Sequence, residues 1–199
     1  MLTLSIARAD EYLELLRERL PDHTLRHCVS VAGLMQHLAP LLGISLEGAV
    51  TAGLLHDSCK AMKKDELLAR ANKYGIELTE VHRARPQLLH GPVAAEECRR
   101  KFDLQSPDLY EAIYWHTTGK PGLNRMGQAL YFADFSEPYR VHEEAAMARA
   151  ILDAQGFDAA LKFVAEAKLG ILGKKGREID PVTESFCSWL DGENGRAHE

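Results

Sequence analysis

The chain has no Cys-x-x-Cys pair. Its four cysteines, Cys28, Cys59, Cys98 and Cys187, are scattered, which argues against a zinc ribbon or a disulfide framework and for a reducing, cytoplasmic setting. No apolar run approaches the length of a membrane span, and Arg8, Asp10, Glu11 and Glu14 charge the first twenty residues. Neither a signal peptide nor a membrane partner is therefore expected. There is no basic excess either: a net charge of −5 and a pI near 6.0 exclude a general nucleic-acid binder, which needs a positive face. Period-2 strands, internal repeats and low-complexity segments are all missing.

What is present is helical periodicity and histidine. At 199 residues, 46% hydrophobic and 27% charged, the chain fits one globular domain with a real core. Tyr12, Leu13, Leu16 and Leu20 predict a helix over 8–20, closed by Pro21. Asp22 is the expected N-cap of a longer helix carrying His27, Leu25, Val29, Ala32, Met35 and Leu38; Pro40 should kink or end it before Gly43. Ser45 should cap a third helix that runs through Ala49–Leu55 into His56-Asp57. A fourth is predicted over about 63–74, with Leu67, Leu68 and Ala71 inside.

Residues 76–91 are irregular, and a helix with Pro92 in its first turn should run to about Phe102, with His90 just upstream. Ser106-Pro107 starts the helix that carries Leu109, Ala112, Ile113 and His116. A loop, 117–122, precedes a helix over about 124–134 ending near Asp134. Helices over about 142–154 and 157–172 should bury Met147, Ile151, Leu161, Val164 and Leu169. Asp180-Pro181 opens a last helix through Phe186 and Leu190, and 191–199 reads as a frayed tail. The expected architecture is an all-α, single-domain helical bundle over 1–190, with its core over about 20–140 and C-terminal helices over about 142–190.

His56-Asp57 closes an apolar helix with a neutral nitrogen and an anionic oxygen, the donors a borderline-hard divalent metal takes. With nine His and eleven Asp in the chain, chance supplies about half of one His-Asp pair, so the dipeptide needs context. Five more polar groups give it: His27, His90, His116 and Asp134 each sit at a helix end or on an apolar face, and Lys60 follows Asp57 by three residues. Buried imidazoles and carboxylates are expensive unless partnered or metal-bound, and bundles build metal sites from such inward-facing side chains. His23, His37, His82, His142 and His198 lack that setting and read as surface or capping residues.

His27, then His56-Asp57, then Asp134 resembles the H…HD…D order of the HD-domain phosphohydrolases. His56-Asp57-x-x-Lys60, Leu-Leu-His-Gly-Pro (88–92), His-Thr-Thr-Gly-Lys-Pro-Gly (116–122) and Ala-Asp-Phe-x-Glu-Pro-x-Arg (133–140) resemble the YqeK family of symmetrical diadenosine tetraphosphate hydrolases. The resemblance spans about residues 20–190. It implies one metal held by His27, His56, Asp57 and Asp134 and a second by His90 and His116, with Asp57 bridging. It also implies iron as the metal; mixed imidazole and carboxylate donors by themselves accept iron, manganese or zinc. Two such ions can hold a bridging hydroxide that attacks phosphorus.

The implied partner is a small-molecule nucleotide, a dinucleoside tetraphosphate cut at its middle into two diphosphates. Asp57 and Asp134 would be catalytic with Lys60, and Lys60, Thr117, Thr118, Gly119, Lys120 and Arg140 would hold phosphate. Tyr114, Trp115, Tyr131, Phe132 and Phe135 are near enough in sequence to line an adenine pocket, though core roles suit most of them. The alternatives are a mono-, tri- or cyclic nucleotide substrate, or a nucleotide sensor without turnover; a homodimer is compatible with either. The chain departs from the family pattern at Lys120, where arginine is usual, at Cys59, beside the ligands in place of a small residue, and at Asp180, where histidine is expected. Lys63-Lys64 and Lys174-Lys175 read as solvated faces.

Overall fold

Two short helices, buried along most of their length, form the centre: α3 (Leu46–Leu55) and α8 (Arg125–Ser136). In α3 every residue from Ala49 to Leu55 is buried, and in α8 the run Met126–Ala133 is. A helix apolar on all sides has to be enclosed by others. The enclosing elements are α1 (Ala9–Arg19), α2 (Asp22–Leu42), α4 (Lys64–Tyr74), α5 (Glu80–Ala84), α6 (His90–Lys101), α7 (Pro107–Trp115), α9 (Glu143–Gln155), α10 (Phe157–Lys174) and α11 (Pro181–Arg196). This computed structural model describes residues 6–176 and 178–196, and no strand occurs among them. One cluster, from Tyr12 in α1 to Leu190 in α11, makes up the hydrophobic core.

Local chemistry sets the boundaries. Ser45 Oγ accepts from Gly48 N at 3.1 Å and Ser106 Oγ from Leu109 N at 3.3 Å, the caps expected of these residues. Asp180 Oδ1 likewise accepts from Val182 N at 3.1 Å at the start of α11. Asp22 is not a cap; it is the first residue of α2, behind Pro21. Pro40 does not end α2, which continues to Leu42: in the last turn a proline removes one hydrogen bond, where in mid-helix it would break the ladder.

The irregular stretch before residue 91 contains α5, started by a capping box of Thr79 and His82, and a 3-10 turn, Pro86–Leu89. His90 is not upstream of α6 but its first residue, with Pro92 third. Met147 is 47% exposed rather than inside; α9 meets its neighbours through Ala145 and Ala148, small enough for close packing, and Met147 lies off that face. The last helix runs beyond Asp191 to Arg196, into the stretch expected to fray, while 197–199 and Arg177 of the basic turn lie outside the described residues. No helix among the described residues is long and apolar enough to cross a membrane.

Candidate metal centre

The carboxy-terminal ends of α3, α7 and α8 converge with the second turn of α2 and the first residue of α6. Helix C-termini carry partial negative charge, so this convergence favours a cation before any side chain is counted. His27 comes from α2, His56 and Asp57 from the end of α3, His90 from the start of α6, His116 from the end of α7 and Asp134 from the last turn of α8. All six of the metal ligands that the family resemblance implies therefore meet at one place.

Three of the histidines are braced in the same way. His56 Nδ1 donates to Gly53 O at 2.8 Å, His90 Nδ1 to Gln87 O at 2.5 Å and His116 Nδ1 to Ile113 O at 2.8 Å, each three residues back. A carbonyl only accepts, so the proton of each neutral ring sits on Nδ1 and Nε2 presents a lone pair. Burial, against the pull of Asp57, drops the His56 pKa to about 3. Burial and the Lys60 ammonium together lower that of His90.

These lone pairs face other acceptors. Asp57 Oδ2 lies 3.6 Å from His56 Nε2 and 3.9 Å from His27 Nε2, and Asp134 Oδ1 lies 3.8 and 3.0 Å from the same two nitrogens. Asp57 Oδ1 faces the other way, 2.9 Å from His90 Nε2 and 3.5 Å from His116 Nε2. The two Nε2 atoms of His90 and His116 are 3.0 Å apart. His56 Nε2 and Asp57 Oδ1 are buried without a hydrogen-bond partner.

The bare nitrogens of His56, His90 and His116 and the carboxylate oxygens beside them repel at such separations unless a cation lies among them. Ligands about 2.1 Å from one ion are roughly 3.0–3.5 Å from each other, as these atoms nearly are. The residues thus form two groups able to hold a metal ion, His27-His56-Asp57 and Asp57-His90-His116, with Asp134 beside the first. Asp57 contributes one oxygen to each.

His27 differs in its brace. Its Nδ1 meets Glu137 Oε1 at 3.1 Å and its Nε2 meets Asp134 Oδ1 at 3.0 Å. Burial pushes this imidazole down, but the two carboxylates outweigh it and its pKa rises to about 9. Burial would raise both Asp57 and Asp134, yet the imidazoles around Asp57, and His27 with Lys168 around Asp134, hold these carboxyls well below the usual range. Glu137 thus orients the His27 ring, as an outer carboxylate orients histidines at metal sites. It is also 3.8 Å from Arg140.

Two cavities flank the cluster and share Arg140. One, of about 570 Å³, lies between α8 and α10, with Thr117, Thr118, Phe135 and Lys168 in its wall. The other, about 670 Å³, opens past His27, Asp57 and Lys60 toward His23, Arg26 and Tyr139. Lys60 Nζ is 3.3 Å from Asp57 Oδ1 and 3.2 Å from His90 Nε2, on a side chain 47% exposed. Arg140 Nη2 is 3.4 Å from Asp134 Oδ1, and Thr117 Oγ1 is 3.1 Å from His116 Nε2.

Two expected phosphate contacts are turned elsewhere. Lys120 Nζ pairs with Glu111 at 2.9 Å. The Gly119 N–H is taken by Trp115 O at 2.7 Å, and a Cβ on this residue, whose φ is 68°, would strike the Phe186 ring at 2.3 Å. Gly119 therefore shapes the loop. Tyr131 and Phe132 are core, whereas Phe135 reaches the first cavity. Cys59 is buried, and burial pushes its thiol up to about 12, as inert packing requires. His142 caps α9 by accepting from Ala145 N at 3.1 Å; His23 and His37 are exposed, and His198 lies outside the described residues.

Lys168, on α10, is a site residue that sequence reasoning missed. Its Nζ is buried without a hydrogen-bond partner, 3.9 Å from Asp134 Oδ2. Burial, opposed by Asp134, lowers its pKa to about 8. The available signal was a lysine continuing the buried stripe of Leu161, Val164 and Ala165.

The chain is similar to several named proteins. The symmetrical bis(5'-nucleosyl)-tetraphosphatase of Bacillus subtilis is 27% identical over 183 residues, covering 91% of this chain and 96% of that one. The enzyme of the same name from Halalkalibacterium halodurans is 28% identical over 128 residues, 64% of this chain and 68% of that one. A crystal structure from Clostridium acetobutylicum, described as a predicted HD superfamily hydrolase involved in NAD metabolism, superposes with a TM-score of 0.88 at 24% identity, covering 92% of this chain and 97% of its own. The HD domain model matches residues 24–179. The chain belongs to the HD-domain family of phosphohydrolases.

Proposed function

We propose that this protein is a two-metal hydrolase that cuts a dinucleoside tetraphosphate, diadenosine tetraphosphate above all, at its middle to give two nucleoside diphosphates. One observation carries the reading: the Asp57 carboxylate is split between two ligand groups, at a point flanked by two cavities that share Arg140. A bond cleaved there has a chamber on either side, as a substrate with two equal halves needs. The names of the Bacillus and Halalkalibacterium relatives support the same substrate.

His27, His56, Asp57 and Asp134 would hold one ion and His90, His116 and Asp57 the other, iron by preference, with manganese and zinc also suited to these donors. The ions, when bound, polarise a phosphoryl oxygen and acidify the attacking water.

The chain's own groups do the rest. Asp134 is anchored by His27 and Arg140, which fixes its remaining lone pairs to orient an attacking water by hydrogen bonding. Lys60 lies within reach of Asp57 and His90 on a half-exposed stem. Its ammonium, in the wall of the neighbouring cavity, would meet the phosphates there. Arg140, at the junction of the cavities, offers a planar fork to the bridging region of the tetraphosphate. Thr117 and Thr118 offer hydroxyls on the opposite wall.

The test is product identity. Metal-replete protein, prepared anaerobically and given diadenosine tetraphosphate, should yield adenosine diphosphate alone, two per substrate. Equal amounts of adenosine tri- and monophosphate, or release of orthophosphate from a mononucleotide with the dinucleotide left intact, would replace this reading by another.

A further inference from the structure

Lysines on solvent faces are common, and a lysine buried for structural reasons normally ends on carbonyls or in a tight ion pair. Lys168 does neither. It occupies the inward stripe of α10, one turn after Val164 and Ala165, and its Nζ is buried without a hydrogen-bond partner. The nearest anion, Asp134 Oδ2, is 3.9 Å away, too far for a hydrogen bond. The face of the Tyr131 ring lies 3.6 Å from the ammonium. That contact favours the charge and takes up the N–H turned to the ring, leaving the others for an acceptor. Its stem forms part of the wall of the 570 Å³ cavity, together with Arg140, Thr117 and Thr118.

A charged donor held on a ring face with its remaining protons unused is arranged for an acceptor that arrives from outside. The wall around it carries Arg85, Arg140 and Lys175 against Asp134, Glu144 and Asp180, and two threonine hydroxyls add neutral donors. With Lys168 the balance is positive, which suits phosphate oxygens. Lys60 stands at the other cavity, across Asp57, so each chamber has one lysine close to the cluster. We infer that Lys168 is a phosphate ligand of the α8–α10 cavity, gripping the diphosphate of the substrate half that lies there. The inference rests on the proposed reading for the identity of that half and on geometry alone for the phosphate.

Binding of inorganic pyrophosphate to the metal-loaded protein, measured by calorimetry beside metal analysis, tests it. Lys168→Met should weaken pyrophosphate at least tenfold with metal content unchanged, and Lys168→Arg should stay within a few-fold of the parent protein. The arginine variant keeps the test decisive if the methionine variant folds poorly. Unchanged affinity in Lys168→Met, an affinity loss that follows loss of metal, or a parent protein that does not bind pyrophosphate would each overturn the inference, the second by making Lys168 a counter-ion of Asp134. Failure of the dinucleotide reading has a different signature. The parent protein would leave diadenosine tetraphosphate intact while pyrophosphate affinity still fell in Lys168→Met.

Discussion

Gly53 of α3 lies against Ala32 of α2 so closely that a Cβ at position 53 would come 2.5 Å from the Ala32 Cα. The same glycine supplies the carbonyl that braces His56 Nδ1 at 2.8 Å. One residue thus sets both the separation of the two helices and the aim of a ligand. Gly53→Ala must push α3 away from α2, an overpacking cost of about 1–3 kcal/mol. The expected result is a lower melting temperature together with at least tenfold weaker metal binding, measured by thermal denaturation and metal titration. An ordinary helix glycine replaced by alanine would gain stability instead.

Metal binding should release a proton at neutral pH. In the metal-free protein the His27 pKa stands at about 9, so at pH 7 the ring is charged, whereas a ligand nitrogen must be bare. Calorimetric titration with a divalent ion at pH 7, in buffers of different ionisation enthalpy, should show about one proton leaving per His27 site filled. Above pH 9 that release should vanish and affinity should stop rising with pH.

Glu137 braces His27 from outside both groups able to hold a metal, and Asp57 belongs to both. Glu137→Gln should therefore cost about 10–100-fold in metal affinity while the fold is kept. Asp57→Ala should abolish binding at both groups and reduce turnover by about a thousandfold or more. Metal content per chain distinguishes the two: it is recoverable at high metal for Glu137→Gln and near zero for Asp57→Ala. Full metal and activity in Asp57→Ala would refute the shared-ligand geometry.

Elsewhere on α6, one buried carboxylate, Glu97, draws Arg19 at 2.8 Å, Lys101 at 2.8 Å and Arg70, tying α1, α4 and α6 together. Burial would raise this carboxyl, but Lys101 and Arg19 hold it below its ordinary 4.5. A depressed acid contributes stability that is present above its unfolded pKa and lost as pH falls through the folded one. Urea unfolding at pH 7 should show Glu97→Gln destabilised by about 2 kcal/mol, less than a fully dry pair because the cations are partly solvated. Below pH 4.5 the parent protein should lose this advantage, and the two curves should converge.

The six clustered residues were legible in the sequence because they occupy positions where a polar residue is anomalous. His56-Asp57 ends an apolar helix, and Asp134 interrupts another. Helix starts marked by Ser45 and Ser106 were legible for the same local reason. Pairings between distant segments were not. Lys120 looks like a phosphate residue until Glu111, from the preceding helix, claims it. Lys168 looks like an ordinary helix lysine until α10 is laid beside α8. Pro40 misleads in a third way, since the same residue breaks a helix interior and is tolerated in a final turn.

The brace shared by His56, His90 and His116 has a consequence for the geometry of the site. Each ring is locked by a carbonyl three residues back on its own segment, so its proton is placed by local chain geometry and needs no partner from elsewhere. In the folded chain each lone pair is therefore aimed by its own segment, and the packing of distant segments sets only how far apart the aimed nitrogens lie. Distant substitutions should then alter the spacing of the donors and leave their protonation pattern untouched.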